Sequence, residues 1–284
     1  LHWWKAYIYQ DMRDKEKAVA SFKTAYDLGK KDNKDNLQSI AFDYAQALYF
    51  NKDYAASDAI YHAMLKEDEA DVAAMVGLAR NMLERNEFEE AVEILEKCQK
   101  YDADYSEVYR FKLRAYKGLK EYGKAIDAGL DWYDKNSDAD TDSLFSVMTK
   151  RPNYAEANIK SRGKKSENGF AWKALLCQFY EFTHRYADAI KCYDEVEAEY
   201  GHYDAINVYR SNCYSELGLN DLAIADISKV MEKEPSWNHL CTRGDYYRLS
   251  GNLDAAIADF SAAIEEEPSY AYAYYKRGWC YEMQ

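Results

Sequence analysis

The stretch Tyr247-Arg248-Leu249-Ser250-Gly251-Asn252-Leu253-Asp254-Ala255-Ala256-Ile257-Ala258-Asp259-Phe260 sets out, in order, an aromatic, a turn glycine, a small residue and a second aromatic. The small residue recurs at Ser57, Ala91, Ala125, Ala189, Ala223 and Ala256, with gaps of 34, 34, 64, 34 and 33 residues. Neighbouring columns keep the same rhythm. Tyr180, Tyr214, Tyr247 and Tyr281 are 34, 33 and 34 apart. An aromatic stands nine residues before the small residue at Tyr9, Tyr116, Tyr180, Tyr214 and Tyr247, and another stands four after it at Phe22, Tyr61, Tyr193 and Phe260. Gly218 and Gly251 fall between the two apolar stretches of their units, and Pro235 and Pro268 at the unit ends, where helix breakers belong. A unit of this length is one helical hairpin, too small to bury its own apolar face, so neighbours must stack into a continuous core.

These columns resemble the tetratricopeptide repeat. Its A-x3-F and P positions are matched by Ala256, Phe260 and Pro268, while Arg243, Gly244 and Tyr247 stand where its leucine, glycine and tyrosine would be. Arg277, Gly278 and Tyr281 repeat that set 34 residues later. The resemblance implies an all-α, right-handed superhelical solenoid of helix-turn-helix repeats. It specifies packing, not chemistry.

The period places repeats at about 1–34, 38–71, 72–105, 106–139, 170–203, 204–236 and 237–270, with a lone helix at 271–284 and an atypical unit at 140–169. The step from Ala18 to Ser57 is 39, and its surplus lies in the polar run Lys30-Lys31-Asp32-Asn33-Lys34-Asp35-Asn36, read as a solvated loop extension. In the atypical unit, Arg151-Pro152-Asn153 and Ser161-Arg162-Gly163-Lys164-Lys165-Ser166 break the pattern, so a shortened hairpin and a bend are expected. One continuous domain is expected. Because the chain stops at Gln284 in the middle of a repeat, it is expected to be part of a longer protein.

Composition fits an all-helical protein: 3 prolines in 284 residues, 48% hydrophobic and 31% charged, leave little room for a Pro-rich linker or disordered tail. No stretch approaches the roughly 18 consecutive apolar residues of a membrane span. A net charge of −13 argues against nucleic acid as the principal ligand, since phosphate binding needs clustered Lys and Arg. The acidic runs Glu67-Asp68-Glu69 and Glu265-Glu266-Glu267 are expected to be solvated. Cysteines 98, 177, 192, 213, 241 and 280 have neither C-x-x-C nor metal-ligand spacing and are read as buried small hydrophobes; free thiols favour a reducing compartment, the absence of an N-x-[ST] sequon is compatible with it, and a cytoplasmic location is expected.

No catalytic, cofactor-binding or metal constellation emerges, and a non-enzymatic protein is expected. Gly118-Leu119-Lys120-Glu121-Tyr122-Gly123-Lys124 imitates a phosphate-binding loop, but Ala125 replaces the Ser or Thr that would hold magnesium, and the glycines are read as a hairpin turn. Asp138, Asp140 and Asp142 have calcium-loop spacing without its glycine or closing glutamate, and are read as a helix start. The five histidines, His2, His62, His184, His202 and His239, never pair at ligand spacing.

The resemblance implies that the first helix of each hairpin lines an inner groove, with residues three before, one after and four after that helix's own small or glycine position facing it. Carried over by register, this gives Phe42, Gln46 and Tyr49, then Val76, Arg80 and Leu83, then Arg110, Arg114 and Lys117. Arg80, Arg110, Arg114 and Lys117 would form one basic zone flanked by Trp3, Tyr7, Phe42 and Tyr49, suited to a peptide with acidic side chains or a free carboxylate. The competing reading pairs these cations with acids such as Glu84 and Glu107. The family's clamp for chaperone tails uses a Lys and an Asn four residues on; Arg110 and Arg114 hold those places, which argues against that tail. A second inner surface is read at Arg248, Tyr275 and Trp279. The function expected is a scaffold or adaptor binding a peptide or partner protein, with a regulatory or targeting arm of a larger enzyme and a small-molecule or glycan-binding solenoid as alternatives.

Overall fold

The structure, a computed structural model, describes residues 1–32, 36–136 and 139–284. Among them the regular structure is helical throughout. In chain order the helices are α1 (His2–Asp11), α2 (Lys15–Asp32), α3 (Leu37–Phe50), α4 (Tyr54–Glu67), α5 (Val72–Glu84), α6 (Phe88–Tyr101), α7 (Ser106–Gly118), α8 (Tyr122–Lys135) and α9 (Thr141–Met148). They continue with α10 (Pro152–Gly163), α11 (Gly169–Phe182), α12 (Tyr186–Tyr200), α13 (Asp204–Glu216), α14 (Asn220–Met231), α15 (Trp237–Leu249), α16 (Leu253–Glu266) and α17 (Ala271–Met283). The chain forms two compact units, Leu1–Tyr154 and Ala155–Gln284. The polar run read as a loop extension includes residues 33–35, and the calcium-loop reading includes Asp138; both lie outside the described residues.

The periodic small residues mark where the two helices of a hairpin meet. Ala18, Ser57, Ala91, Ala125, Ala189, Ala223 and Ala256 are all buried, as are the aromatics Phe22, Tyr61, Tyr193 and Phe260 one turn further on. Ser57 places a hydroxyl where its counterparts have a methyl. It donates to the Ala45 carbonyl at 2.8 Å and accepts from Asn81 Nδ2 at 2.9 Å, so its burial is satisfied.

A second column of the same period lies in the backbone. The turn between the helices of a hairpin carries one residue with positive φ: Arg13 (59°), Lys52 (64°), Asn86 (61°), Lys120 (60°), His184 (57°), Gly218 (74°) and Gly251 (84°). Each stands five residues before the buried small residue, in the left-handed region that caps a helix. Side chains other than Gly, and to a lesser extent Asn, are strained there. Lys52→Gly and Lys120→Gly are therefore each expected to stabilise the chain by about 0.5 to 1 kcal/mol, the relief of strain exceeding the added freedom of the unfolded chain. Urea denaturation of the two variants and their double mutant checks this. Gly118, in the phosphate-loop imitation, ends α7, and a Cβ there would lie 2.5 Å from Phe88 Cζ: close packing at a hairpin turn.

Within Leu1–Tyr154, α1 to α8 form four hairpins, and α9 packs on α8. Asp140 accepts from the backbone N–H groups of Asp142 and Ser143, at 3.1 and 3.3 Å, so it caps α9. The break read at Arg151-Pro152-Asn153 is only a boundary, because Pro152 is the first residue of α10, where a missing N–H costs nothing. With 8 residues in α9 and 12 in α10, and no positive-φ residue between them, this stretch is shorter than the regular hairpins.

In Ala155–Gln284, Glu156 ties the remainder of α10 to the next hairpin. Its carboxylate accepts from Lys160 Nζ (2.6 Å), Tyr180 Oη (2.8 Å) and Arg185 Nη1 (2.9 Å). Burial pushes the acid up, but these bonds outweigh it and hold the carboxyl at about 2 against an ordinary 4.5. A depressed carboxylate contributes stability above the unfolded value and loses it as pH falls through the folded one. Acid destabilisation between about pH 4.5 and 2 is therefore expected, worth about 1 kcal/mol after solvent screening. Glu156→Gln should flatten that part of a thermal-unfolding profile against pH.

The cysteine reading needs one correction. Cys177 of α11 and Cys192 of α12 form a disulfide across one hairpin, with Cα atoms 5.4 Å apart. Facing positions of paired helices bring the two sulfurs together, whereas Cys98, Cys213, Cys241 and Cys280 are buried free thiols as expected. Cysteine content thus no longer favours a reducing compartment. No helix among the described residues is long and apolar enough to cross a membrane.

Candidate functional site

The first helices of three successive hairpins, α3, α5 and α7, bring Phe42, Gln46, Val76, Gly77, Arg80, Glu107 and Phe111 around a pocket of about 260 Å³, with Tyr61 of α4 in its wall. Arg80 is its distinctive residue. Its guanidinium lies 4.0 Å from the centre of the Tyr49 ring, and Nη2 donates to Tyr61 Oη at 3.4 Å. Its Nε is buried without an acceptor, and among the described residues no carboxylate forms an ion pair with it. Burial pushes the Tyr61 phenol up to about 12 despite Arg80's opposing charge, so this hydroxyl stays protonated. Tyr49 donates to Glu84 at 3.2 Å.

The other predicted cations are arranged differently. Arg110 pairs with Glu107, and Arg114 with Glu84 at 2.9 Å, as in the competing reading. Lys117, exposed, has no such partner among the described residues. Arg110, Arg114 and Lys117 line a second cavity, of about 530 Å³, with Glu107, Phe111 and Leu113 of α7, Trp132 of α8, and Asp140 and Ser143 at the start of α9.

Trp3 and Tyr7 are engaged with an acid rather than free. Trp3 Nε1 and Tyr7 Oη both donate to Asp43 Oδ2, at 2.6 and 2.5 Å, and Tyr7 packs edge-on against Phe22. Burial and the Asp43 carboxylate push the Tyr7 phenol up to about 12. Leu83, placed on the inner wall by register, is instead 1% exposed, and Val76 is largely buried. Both pack in one apolar cluster with Met75, Leu95 and Phe111, because α5 is apolar on more than one face.

In the second unit, Arg248 stacks over Trp279 with its guanidinium 4.6 Å from the ring centre and donates to Asp245 at 3.2 Å. Asp245 also accepts from Tyr272 Oη at 2.6 Å and pairs with Lys276 at 3.2 Å. Tyr275 is 67% exposed. The surface there is aromatic, and its cations already share one carboxylate.

Sequence reasoning missed an arginine ladder. Arg210 Nε and Nη2 donate to Asp226 at 2.7 and 3.2 Å, and Arg243 makes the same fork to Asp259 at 2.8 Å for both bonds. Each arginine also reaches the second helix of the preceding hairpin: Arg210 to Asp194, Arg243 to Ser228 and Arg277 to Ser261. The signal was the same period, since arginines 210, 243 and 277 are 33 and 34 apart and each Asp follows its Arg by 16. This explains why arginine can occupy the repeat's leucine position. Its stem packs, and its head bridges two hairpins.

Helical hairpins of regular period, closed on small residues and lacking any group of His, Cys, Asp or Glu fit to hold a metal among the described residues, define a helical-repeat protein. Family models described as tetratricopeptide repeats match residues 1–32 and 50–115, and one described as a TPR repeat matches 244–284. These three stretches are similar to tetratricopeptide repeats. Repeats of this family generally mediate protein–protein interaction and are typically non-enzymatic scaffolds. Among solved structures, a tetratricopeptide repeat protein from Parabacteroides merdae is 16% identical, with 97% of this chain and 96% of that one covered and a TM-score of 0.41. YrrB, a TPR protein with an unusual peptide-binding site, is 15% identical over 77% of this chain and 97% of its own, with a TM-score of 0.39. A thermophilic TPR protein of Thermus thermophilus is 17% identical over 86% of this chain and 98% of its own, with a TM-score of 0.31. No curated protein matches the chain in sequence.

Proposed function

We propose that the chain is a non-enzymatic scaffold whose first unit holds a segment of a partner polypeptide against α3, α5 and α7. The observation that carries this reading is Arg80. A guanidinium held on a tyrosine face, without a carboxylate of its own, in a pocket walled by Phe42, Tyr61, Val76 and Phe111, combines an apolar seat with unspent donors. Such a pocket suits one apolar side chain together with a backbone carbonyl or other acceptor beside it.

The test is a selection of random displayed peptides on the whole chain, followed by affinity measurement on Arg80→Ala. Selected peptides are expected to bind the variant at least tenfold more weakly while its circular dichroism is unchanged. Equal binding would discard the proposal. Arg80→Ala is a sharper variant than charge reversal at Arg110 and Arg114, which would also break their pairs with Glu107 and Glu84.

A further inference from the structure

We infer that the turn joining α13 to α14 is a docking knob for an amphipathic helix of a partner protein, one that carries lysine or arginine beside its apolar face. This turn lies in the second unit and does not depend on the Arg80 pocket. It reads Glu216-Leu217-Gly218-Leu219-Asn220-Asp221-Leu222, and Leu217, Leu219 and Leu222 are 45%, 46% and 48% exposed. Leu249, at the end of α15 where the next hairpin turns, is 51% exposed.

Apolar residues scattered singly over a surface need no explanation, but these leucines stand where the other hairpins are polar or small. The position four before the buried small residue is Asp14, Asp53, Glu87, Glu121, Arg185 and Asn252 elsewhere, and Leu219 here. It is the N-cap of the second helix, and Asp14, Asp53 and Asn252 each accept a backbone N–H there. Leu219 holds that place at the head of α14 with no cap bond from its side chain. The position one before the small residue is Lys17, Ala56, Glu90, Lys124, Asp188 and Ala255 elsewhere, and Leu222 here. A leucine that gives up a helix cap and faces water breaks a local rule without a local gain, which marks a place kept for something outside the chain.

Backbone bonding selects the form of the partner. Leu217, Gly218, Leu219 and Leu222 all donate their N–H groups within the turn, so an extended segment finds no free edge to pair with. A helix satisfies its own backbone and brings only side chains. Charge selects its flanks. Glu216 and Asp221 interleave the leucines, and the chain holds no lysine or arginine between Arg210, which is buried on Asp226, and Lys229. Arg185, in the preceding turn, is paired with Glu156 and Asp188. Cations beside the apolar face of the incoming helix would meet these acids, whereas an anionic membrane surface would be repelled.

The experiment measures binding of two synthetic helices to the whole chain. Both carry leucine at i, i+3, i+4 and i+7; one has lysine and the other glutamate at the flanking positions. The lysine helix is expected to bind, and Leu219→Asn with Leu222→Gln to weaken it at least tenfold. Glu216→Lys with Asp221→Lys should weaken it similarly and admit the glutamate helix, while Arg80→Ala should leave it bound. Leu219→Asn alone should raise the urea midpoint, because asparagine restores the cap. A lower midpoint would make Leu219 a packing residue and overturn the docking site. Equal binding to the leucine variant would also overturn it, since attraction to a chain of net charge −13 needs no leucine turn. So would no binding of the lysine helix, tighter binding of the glutamate helix, or self-association or capture on phosphatidylserine vesicles that the leucine variant abolishes.

Discussion

Gly77→Ala is expected to destabilise the chain by about 3 kcal/mol, although alanine is the better helix former by about 1 kcal/mol. Gly77 lies inside α5, and a Cβ there would sit 2.2 Å from Tyr61 Cζ and 2.6 Å from both Cε atoms. Tyr61 is held in place by its contacts. It is fully buried, its ring meets Phe42 edge-on at 6.2 Å, and its hydroxyl receives the Arg80 bond. The added methyl must separate α4 from α5 or push the Tyr61 ring toward the Arg80 pocket, and either forfeits buried contact along the hairpin interface. Gly278→Ala in α17 is the control, because no atom lies within 4 Å of the new Cβ; it should raise stability by about 0.5 to 1 kcal/mol. Urea denaturation of both variants separates the close-packing account from a general effect of replacing glycine. Adding Tyr61→Leu to Gly77→Ala should cost less than the sum of the two changes, because the leucine lacks the ring atoms that clash.

The hairpins were legible in the sequence because helix closure needs a small residue at one place in every unit, and that place recurs at Ser57, Ala91, Ala125, Ala189, Ala223 and Ala256. Turn geometry was legible only where it used glycine. At Arg13, Lys52, Lys120 and His184 the same backbone conformation is imposed on residues that do not signal it, so contacts made by the flanking helices override local preference. The inner residues were legible only as a list. Register brings Phe42, Gln46 and Arg80 to one pocket, but it cannot tell that Trp3 and Tyr7 spend their donors on Asp43, or that Leu83 turns into the core. Pairing decides which cations keep their donors, and pairing depends on acids such as Glu84 that lie one hairpin away, 30 residues from Arg114. The Cys177–Cys192 bridge escaped for a similar reason: a spacing of 15 becomes a contact only once two helices fold back on each other.

Asp226→Ala is expected to cost about 3 kcal/mol, more than Asp259→Ala at the equivalent place one repeat later. Arg210 and Asp226 are 7% and 6% exposed, whereas Arg243 is 22% exposed beside Asp259 at 9%. Removing Asp226 leaves the Arg210 head buried with Asp194 and Glu197 on its Nη1 only, and its Nε and one Nη2 bond lose their acceptor. The unpaired donors, not the lost attraction, dominate the cost. Added salt should change it little, because buried charges are poorly screened. Replacing both partners, Arg210→Met with Asp226→Leu, should recover most of the loss, because no buried charge then remains without a partner. The measurement is urea denaturation of Asp226→Ala, Asp259→Ala and the double replacement at low and high salt. Equal costs at the two aspartates, or a loss that salt removes, would mean that the ladder is a surface feature and that arginine holds the leucine position through its stem alone.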